Sequence, residues 1–239
     1  MNQKIHTKSD RRIVLIELLR VILGLMVFSY GVHLIIAADI GVAPWDCLGQ
    51  GIANHTPLNY GMAMTVVSIC VLALDLLLRQ PIGYGILFDT FLTGNMIQFC
   101  NDHCGFSNGL ISMTLQLDGL GAILASCLMI CVGLVFMAVG QVIYIGAGQS
   151  CGPRDTLTVG LGQCFPKVPI GLIQNSILLV VFVAGWLLGG SVGVGTLLGV
   201  FGTGIVMQVV FGIMHFEPRE VRHRSFAETT RMLVYGKTP

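Results

Sequence analysis

"GVAPWD" occupies residues 41–46 and "CGPRD" residues 151–155, each a Pro-x-Asp turn set just past a long apolar run. Proline is favoured at the first helical position, and aspartate in the first turn, where its charge meets the positive end of the helix dipole. Each motif therefore opens a short helix, through "WDCLGQGIANH" and "RDTLTVGLGQC", ended by glycine and then by Pro57 or Pro166. Neither stretch reaches the roughly 20 residues that cross a bilayer.

The recurrence extends well beyond the turns. A shift of 109 places Gly24 on Gly133, Gly31 on Gly140, Pro44 on Pro153, Asp46 on Asp155, Leu48 on Leu157 and Gly51 on Gly160. A shift of 110 then lays "GYGILFDTFLTGNMIQ" on "GVGTLLGVFGTGIVMQ", with Gly83 on Gly193, Thr93 on Thr203 and Gln98 on Gln208. Ordered matches over this length, with one gap, mark the chain as a duplication.

Composition sets the medium. The chain is 54% hydrophobic and 10% charged, with 31 glycines. Soluble domains carry about 25% charged residues, so this chain lacks the polar surface to face water all round. It reads as an all-α polytopic membrane protein. Its eight cysteines lie in or beside apolar runs, where cysteine acts as a small hydrophobe, and they form no secreted disulfide framework.

Six apolar runs are predicted to span: 14–38, 58–79, 82–99, 119–147, 168–189 and 192–214. The basic lead-in to the first resembles a signal peptide, but "LIIAAD" lacks a clean cleavage site and the run belongs to the repeat. With both termini cytoplasmic, all 13 Lys and Arg residues fall on the inner side, while 39–57, 100–118 and 190–191 hold none. Three spans per half is an odd number, so two copies in series face opposite ways. The expected architecture is thus two inverted-topology three-helix repeats, each with its Pro-x-Asp helix re-entrant or at the interface. The chain divides into a basic cytoplasmic tail (1–13), a first repeat (14–118), a second repeat (119–214) and a cytoplasmic C-terminal tail (215–239).

Two readings of the turns stand. Asp46 and Asp155 either cap their short helices, or the two half-helix starts line opposite mouths of a substrate path. Asp89, mid-way along the third span, is an expensive group at that depth and must pair or face a cavity; Arg154 and His33 are its candidate partners. It serves either in ion, proton or solute contact or in a structural pair, and its counterpart in the second half is Gly199. His33 satisfies a backbone carbonyl or shuttles protons. Asp75 and Arg79 stand at i, i+4, and Glu17 and Arg20 at i, i+3, spacings that predict local ion pairs. The candidate substrate-binding residues are Asp46, Asp89, Arg154, Asp155 and His33.

Other motifs carry little. "CNDHC" (100–104) offers soft ligands without a fourth or a zinc-type spacing, so no metal site is expected. "GFSNG" (105–109) matches G-x-S-x-G but lacks the strand-to-helix context a nucleophile elbow needs. No Walker, dinucleotide or H-E-x-x-H motif appears, so no cofactor, enzyme activity or nucleic-acid partner is expected. "GWLLG" and "GTLLG" are small-xxx-small patterns for internal helix contacts, or for the seam of a homodimer or partner membrane protein. The C-terminal tail reads as a surface helix that anchors topology.

Paired turns reading "IGVAPWDCL" and "GQSCGPRDTL" in a duplicated six-span chain resemble the YczE/YyaS/YitT family of bacterial membrane proteins. The likeness covers nearly all of the chain except the tails. It implies an address in the bacterial inner membrane, and a transport-type role only weakly, since the family has no well-established activity. The expected function is transport of a small solute or ion across the bilayer, with Arg154 and the helix starts suited to an anionic or zwitterionic solute. The rival readings are a non-transporting accessory protein and a solute-binding subunit of a larger transporter.

Overall fold

The computed structural model describes residues 2–103, 119–168, 170–217, 221 and 223–235, without the side chains of 2–10, 170 and 235. Cys104, the pentapeptide at 105–109, Asp118, Arg219, Arg222 and Lys237 lie outside the described residues. In chain order the helices are α1 (Asn2–Ala37), α2 (Pro44–His55), α3 (Tyr60–Leu77), α4 (Tyr84–Phe88), a π-helical turn (Asp89–Thr93) and α5 (Gly94–His103). They continue as α6 (Leu120–Ile145), α7 (Pro153–Cys164), α8 (Ile170–Leu187), α9 (Val194–Ile213) and α10 (Phe226–Tyr235). No strand occurs among the described residues, and the described cysteines are all free.

Four helices are long and apolar enough to cross a membrane: Arg11–Ala37, Tyr60–Leu77, Leu120–Ile145 and Val194–Ile213. The run expected at 82–99 is helical from Tyr84 to His103, but the π turn interrupts its ladder. The run expected at 168–189 forms α8, whose apolar stretch Gly171–Leu187 is shorter. Large apolar side chains such as Leu23, Leu128, Leu179 and Phe201 point outward, the signature of a surface that faces lipid. The chain is a multi-pass membrane protein.

The centre is the crossing of α1 and α6. Gly24 backs onto Gly140 and Gly31 onto Gly133, so the two helices run antiparallel with their backbones in contact. A Cβ on Gly31 would stand 2.5 Å from the Gly133 carbonyl oxygen and 2.7 Å from the Met137 nitrogen, which is why these positions hold no side chain. Around this pair the packing exchanges between halves: α2 packs on α8 and α7 on α3, while α5 packs on α1 and α9 on α6. Backbone bonds exchange likewise. Gly85 N–H donates to the Gln149 carbonyl and Gly195 N–H to the Ile40 carbonyl, each at 2.7 Å. The left-handed backbone of Gly41 (φ 111°) recurs at Ser150 (φ 96°), 109 residues on, where a side chain carries the strain.

The C-terminal tail differs from a free anchor. Arg224 N–H donates to the Gly148 carbonyl and Phe226 N–H to that of Ile82, both at 2.8 Å. The Phe226 ring stacks on Tyr84 at 4.5 Å. Arg224 pairs with Glu17, which also accepts from Gln149 Nε2 at 2.9 Å, while Thr229 Oγ1 donates to Gln149 Oε1 at 3.0 Å. Glu17 therefore reaches across the fold to Arg224, rather than pairing with Arg20 as its spacing predicts. Long-range geometry, not helical proximity, chose the partner.

Candidate functional site

The starts of α2 and α7 meet. Pro44 and Pro153 occupy the first turns, and the residues before them, Ala43 and Gly152, are extended and offer no capping side chain. The middle residue of each Pro-x-Asp turn projects toward the other: the Arg154 guanidinium lies over the Trp45 ring, 5.0 Å from its centroid. These two residues occupy equivalent places in the repeat, since a shift of 109 carries Trp45 onto Arg154. The two half-helices thus present their positive ends to a shared centre.

Carboxylates surround it. Asp46 is buried and accepts a hydrogen bond from Tyr60 Oη at 2.9 Å. Asp46, Asp89 and Asp155 all lie within electrostatic range of Arg154, and Asp89 and Asp155 within range of each other. Asp89 opens the π turn, and its Oδ1 accepts from Thr93 Oγ1 at the end of the same turn. Its Oδ2 lies against Gly152, where a Cβ would stand 2.5 Å away. The Asp89 carboxylate is therefore seated at the entrance of α7, where glycine alone leaves room for it. In the other half Gly199 faces Ala43, so the small residue and the larger one have changed places.

The arrangement joins four of the five residues singled out from sequence. His33 is the exception: it is buried on α1 and bonded to Asn101, beside the Tyr30 ring. Asn101 lies twelve residues beyond Asp89, roughly 18 Å along the helix at 1.5 Å per residue, so of the two partners considered for Asp89, the structure brings up Arg154. Asp46 is engaged by Tyr60, and both Asp46 and Asp155 lie within electrostatic range of Arg154.

Asp75 departs from its predicted role. It is fully buried, and neither carboxyl oxygen has a hydrogen-bond partner. Arg79 has left the helix with φ 55°, which turns its side chain out of i, i+4 register with Asp75.

Sequence reasoning missed Trp45 and Tyr60 as members of the site. The signal for Trp45 was its place inside the motif; Tyr60 had none, since nothing local tells which acid a tyrosine will meet. The π turn was equally silent, although such turns recur at functional positions. Outside the spans, burial and then Asp155 push the Cys151 thiol up to about 12, and its sulfur lies 3.5 Å from His223 Nε2. Among the described residues no group of three or more His, Cys, Asp or Glu side chains converges to hold a metal.

The chain is 28% identical to an uncharacterized protein of Haemophilus influenzae, over 80% of this chain and 81% of the relative. It is 26% identical to the uncharacterized membrane protein YczE of Bacillus subtilis, over 77% of this chain and 80% of that one. It is 27% identical to the uncharacterized protein YyaS of the same organism, over 81% and 92%. No solved structure matches it significantly. The likeness to YczE and YyaS that the paired Pro-x-Asp turns carry thus extends along the chain, and the model of a family of unknown function, DUF6198, matches residues 15–211. The chain belongs to that family.

Proposed function

We propose that this protein is a bacterial inner-membrane transporter of a small solute or ion, without enzyme activity, working between two inverted-topology repeats of three spans each. The observation that carries this reading is the contact of the two half-helix starts through Trp45 and Arg154, with Asp46, Asp89 and Asp155 within electrostatic range of that guanidinium. Ionisable groups held together inside a membrane protein are candidates for an ion or solute path. The antiparallel crossing of α1 and α6, and the exchange of contacts between halves, support an axis in the membrane plane. In this reading the helical run 84–103 and α8 are the third and fifth spans, and both termini lie in the cytoplasm, where the basic residues gather.

Three acids around one base refine the solute. Arg154 and the helix starts suit a carboxylate or another anionic group, while the excess of acids suits an ammonium or a cation. A zwitterion that bridges both fits the centre better than a simple anion.

The test is uptake. Purified protein in otherwise empty liposomes, presented with solutes first picked by thermal-shift screening, accumulates a zwitterionic solute, and Arg154→Gln does not. Solute binding without uptake would instead make it a binding subunit. Neither binding nor uptake across the panel would favour an accessory role.

A further inference from the structure

One buried acid stands outside the Arg154 cluster. Asp75 lies on the stripe of α3 that carries Val67, Val71 and Leu78, and this stripe packs on Leu157 and Leu161 of α7. It is 0% exposed, and both carboxyl oxygens lack a hydrogen-bond partner. The equivalent place in the second half is Gly185, 110 residues on. There α8 lies directly on α2: a Cβ would stand 2.7 Å from the Cys47 carbonyl carbon and 2.8 Å from the Leu48 Cα. The fold thus packs backbone on backbone at one of two equivalent contacts and admits an acid at the other.

The charged and titratable groups around α3 are few. They are Asp46, Cys47 and His55 on α2, Asp89 in the π turn, Cys100, Asp102 and His103 on α5, and Arg154, Asp155 and Cys164 on α7; Tyr60, Cys70 and Arg79 stand on its own segment. None bonds to Asp75. An ionised carboxylate buried without a partner is strongly disfavoured. Adding one proton removes that charge.

We propose that Asp75 is a proton-binding site, separate from the Arg154 cluster, which holds its proton while α3 and α7 are packed together and releases it when that contact opens. Because α7 also carries Arg154 and Asp155, the proton on Asp75 is linked to the position of the half-helix. The site needs only that α3 lies in the bilayer; its use in driving transport rests on the transporter reading.

Two measurements on the full chain test it. The first is labelling with dicyclohexylcarbodiimide, a lipophilic reagent for protonated carboxyls, in liposomes from about pH 5 to about pH 9, with peptide mass spectrometry. An adduct on Asp75 at neutral pH that fades at alkaline pH is expected. The second is thermal melting of wild type and Asp75→Asn across the same range. A proton held only in the folded state stabilises at low pH, and that stability is lost as pH rises through the folded-state titration. Wild type should therefore lose several degrees of melting temperature relative to Asp75→Asn on going alkaline. Parallel melting profiles, or an Asp75 unlabelled at every pH, would overturn the proposal. If Asp75→Asn does not fold, labelling of wild type decides alone. Neither measurement involves flux, so failure of this site and failure of the transporter reading are told apart.

Discussion

Arg154 lies 5.0 Å over the ring of Trp45, and the two residues are the middle residues of Pro-x-Asp turns 109 positions apart. Were the two turns to carry the same middle residue, two tryptophans or two arginines would face each other here. One of each makes a cation–π contact, worth about 0.5–2 kcal/mol depending on desolvation, and brings one positive charge among three acids.

Removing that charge should be costly. Arg154→Gln removes the positive charge that acts on buried Asp46 and half-buried Asp89, and a destabilisation larger than that of Trp45→Leu is expected. Trp45→Leu removes only the ring face and should cost about 2 kcal/mol or less. Melting in detergent ranks the two variants; a Trp45→Leu loss as large as that of Arg154→Gln would shift the weight from charge to packing.

Asp89 separates structure from coupling. If its bond with Arg154's field is structural, Asp89→Asn lowers the melting temperature and adding Arg154→Gln recovers part of the loss, because both charges leave together. If Asp89 couples an ion or contacts solute, Asp89→Asn melts like wild type and flux is abolished. A stable and fully active Asp89→Asn protein would remove Asp89 from the site.

The central crossing should tolerate no side chain. Gly31→Val drives new carbons into the Gly133 carbonyl and the Met137 nitrogen, with a destabilisation of at least about 1–3 kcal/mol. Gly204→Ala on α9, where a Cβ meets nothing within 4 Å, is the control and should be neutral or gain up to about 1 kcal/mol of helix propensity. Equal effects at the two sites would mean that α1 and α6 are not in backbone contact.

The tail should come loose at Glu17. Glu17→Gln removes the charge that meets Arg224, while the Gln149 bond can be kept by an amide oxygen. Limited proteolysis of the variant should cut between residues 215 and 239 faster than in wild type, with the helices before it intact. Unchanged cleavage would assign the hold to the Phe226–Tyr84 stack and the backbone bonds instead.

Orientation is tested by single cysteines in a cysteine-free background. A cysteine at Lys167 should react only from the cytoplasmic side, and one at Asn54 only from outside. External labelling at Lys167 would overturn the inverted arrangement.

Much of the architecture was legible along the chain because its causes are local. Apolar length marks the membrane helices, proline followed by aspartate marks the starts of α2 and α7, and glycines at matching offsets mark both the duplication and the α1–α6 crossing. Spacing alone also drew attention to Asp46, Asp89, Arg154 and Asp155. What it could not supply was who meets whom. Asp75 and Glu17 each had a basic neighbour at helical spacing, yet one ended buried without a partner and the other reached Arg224 at the far end of the chain. His33 looked like a partner for Asp89 and found Asn101. Helical periodicity tells which face a residue occupies, but the partner across that face depends on how far two helices slide and which small residues let them approach. Those quantities exist only in the assembled fold, which is why Trp45, Tyr60 and the π turn at Asp89 entered the site with it.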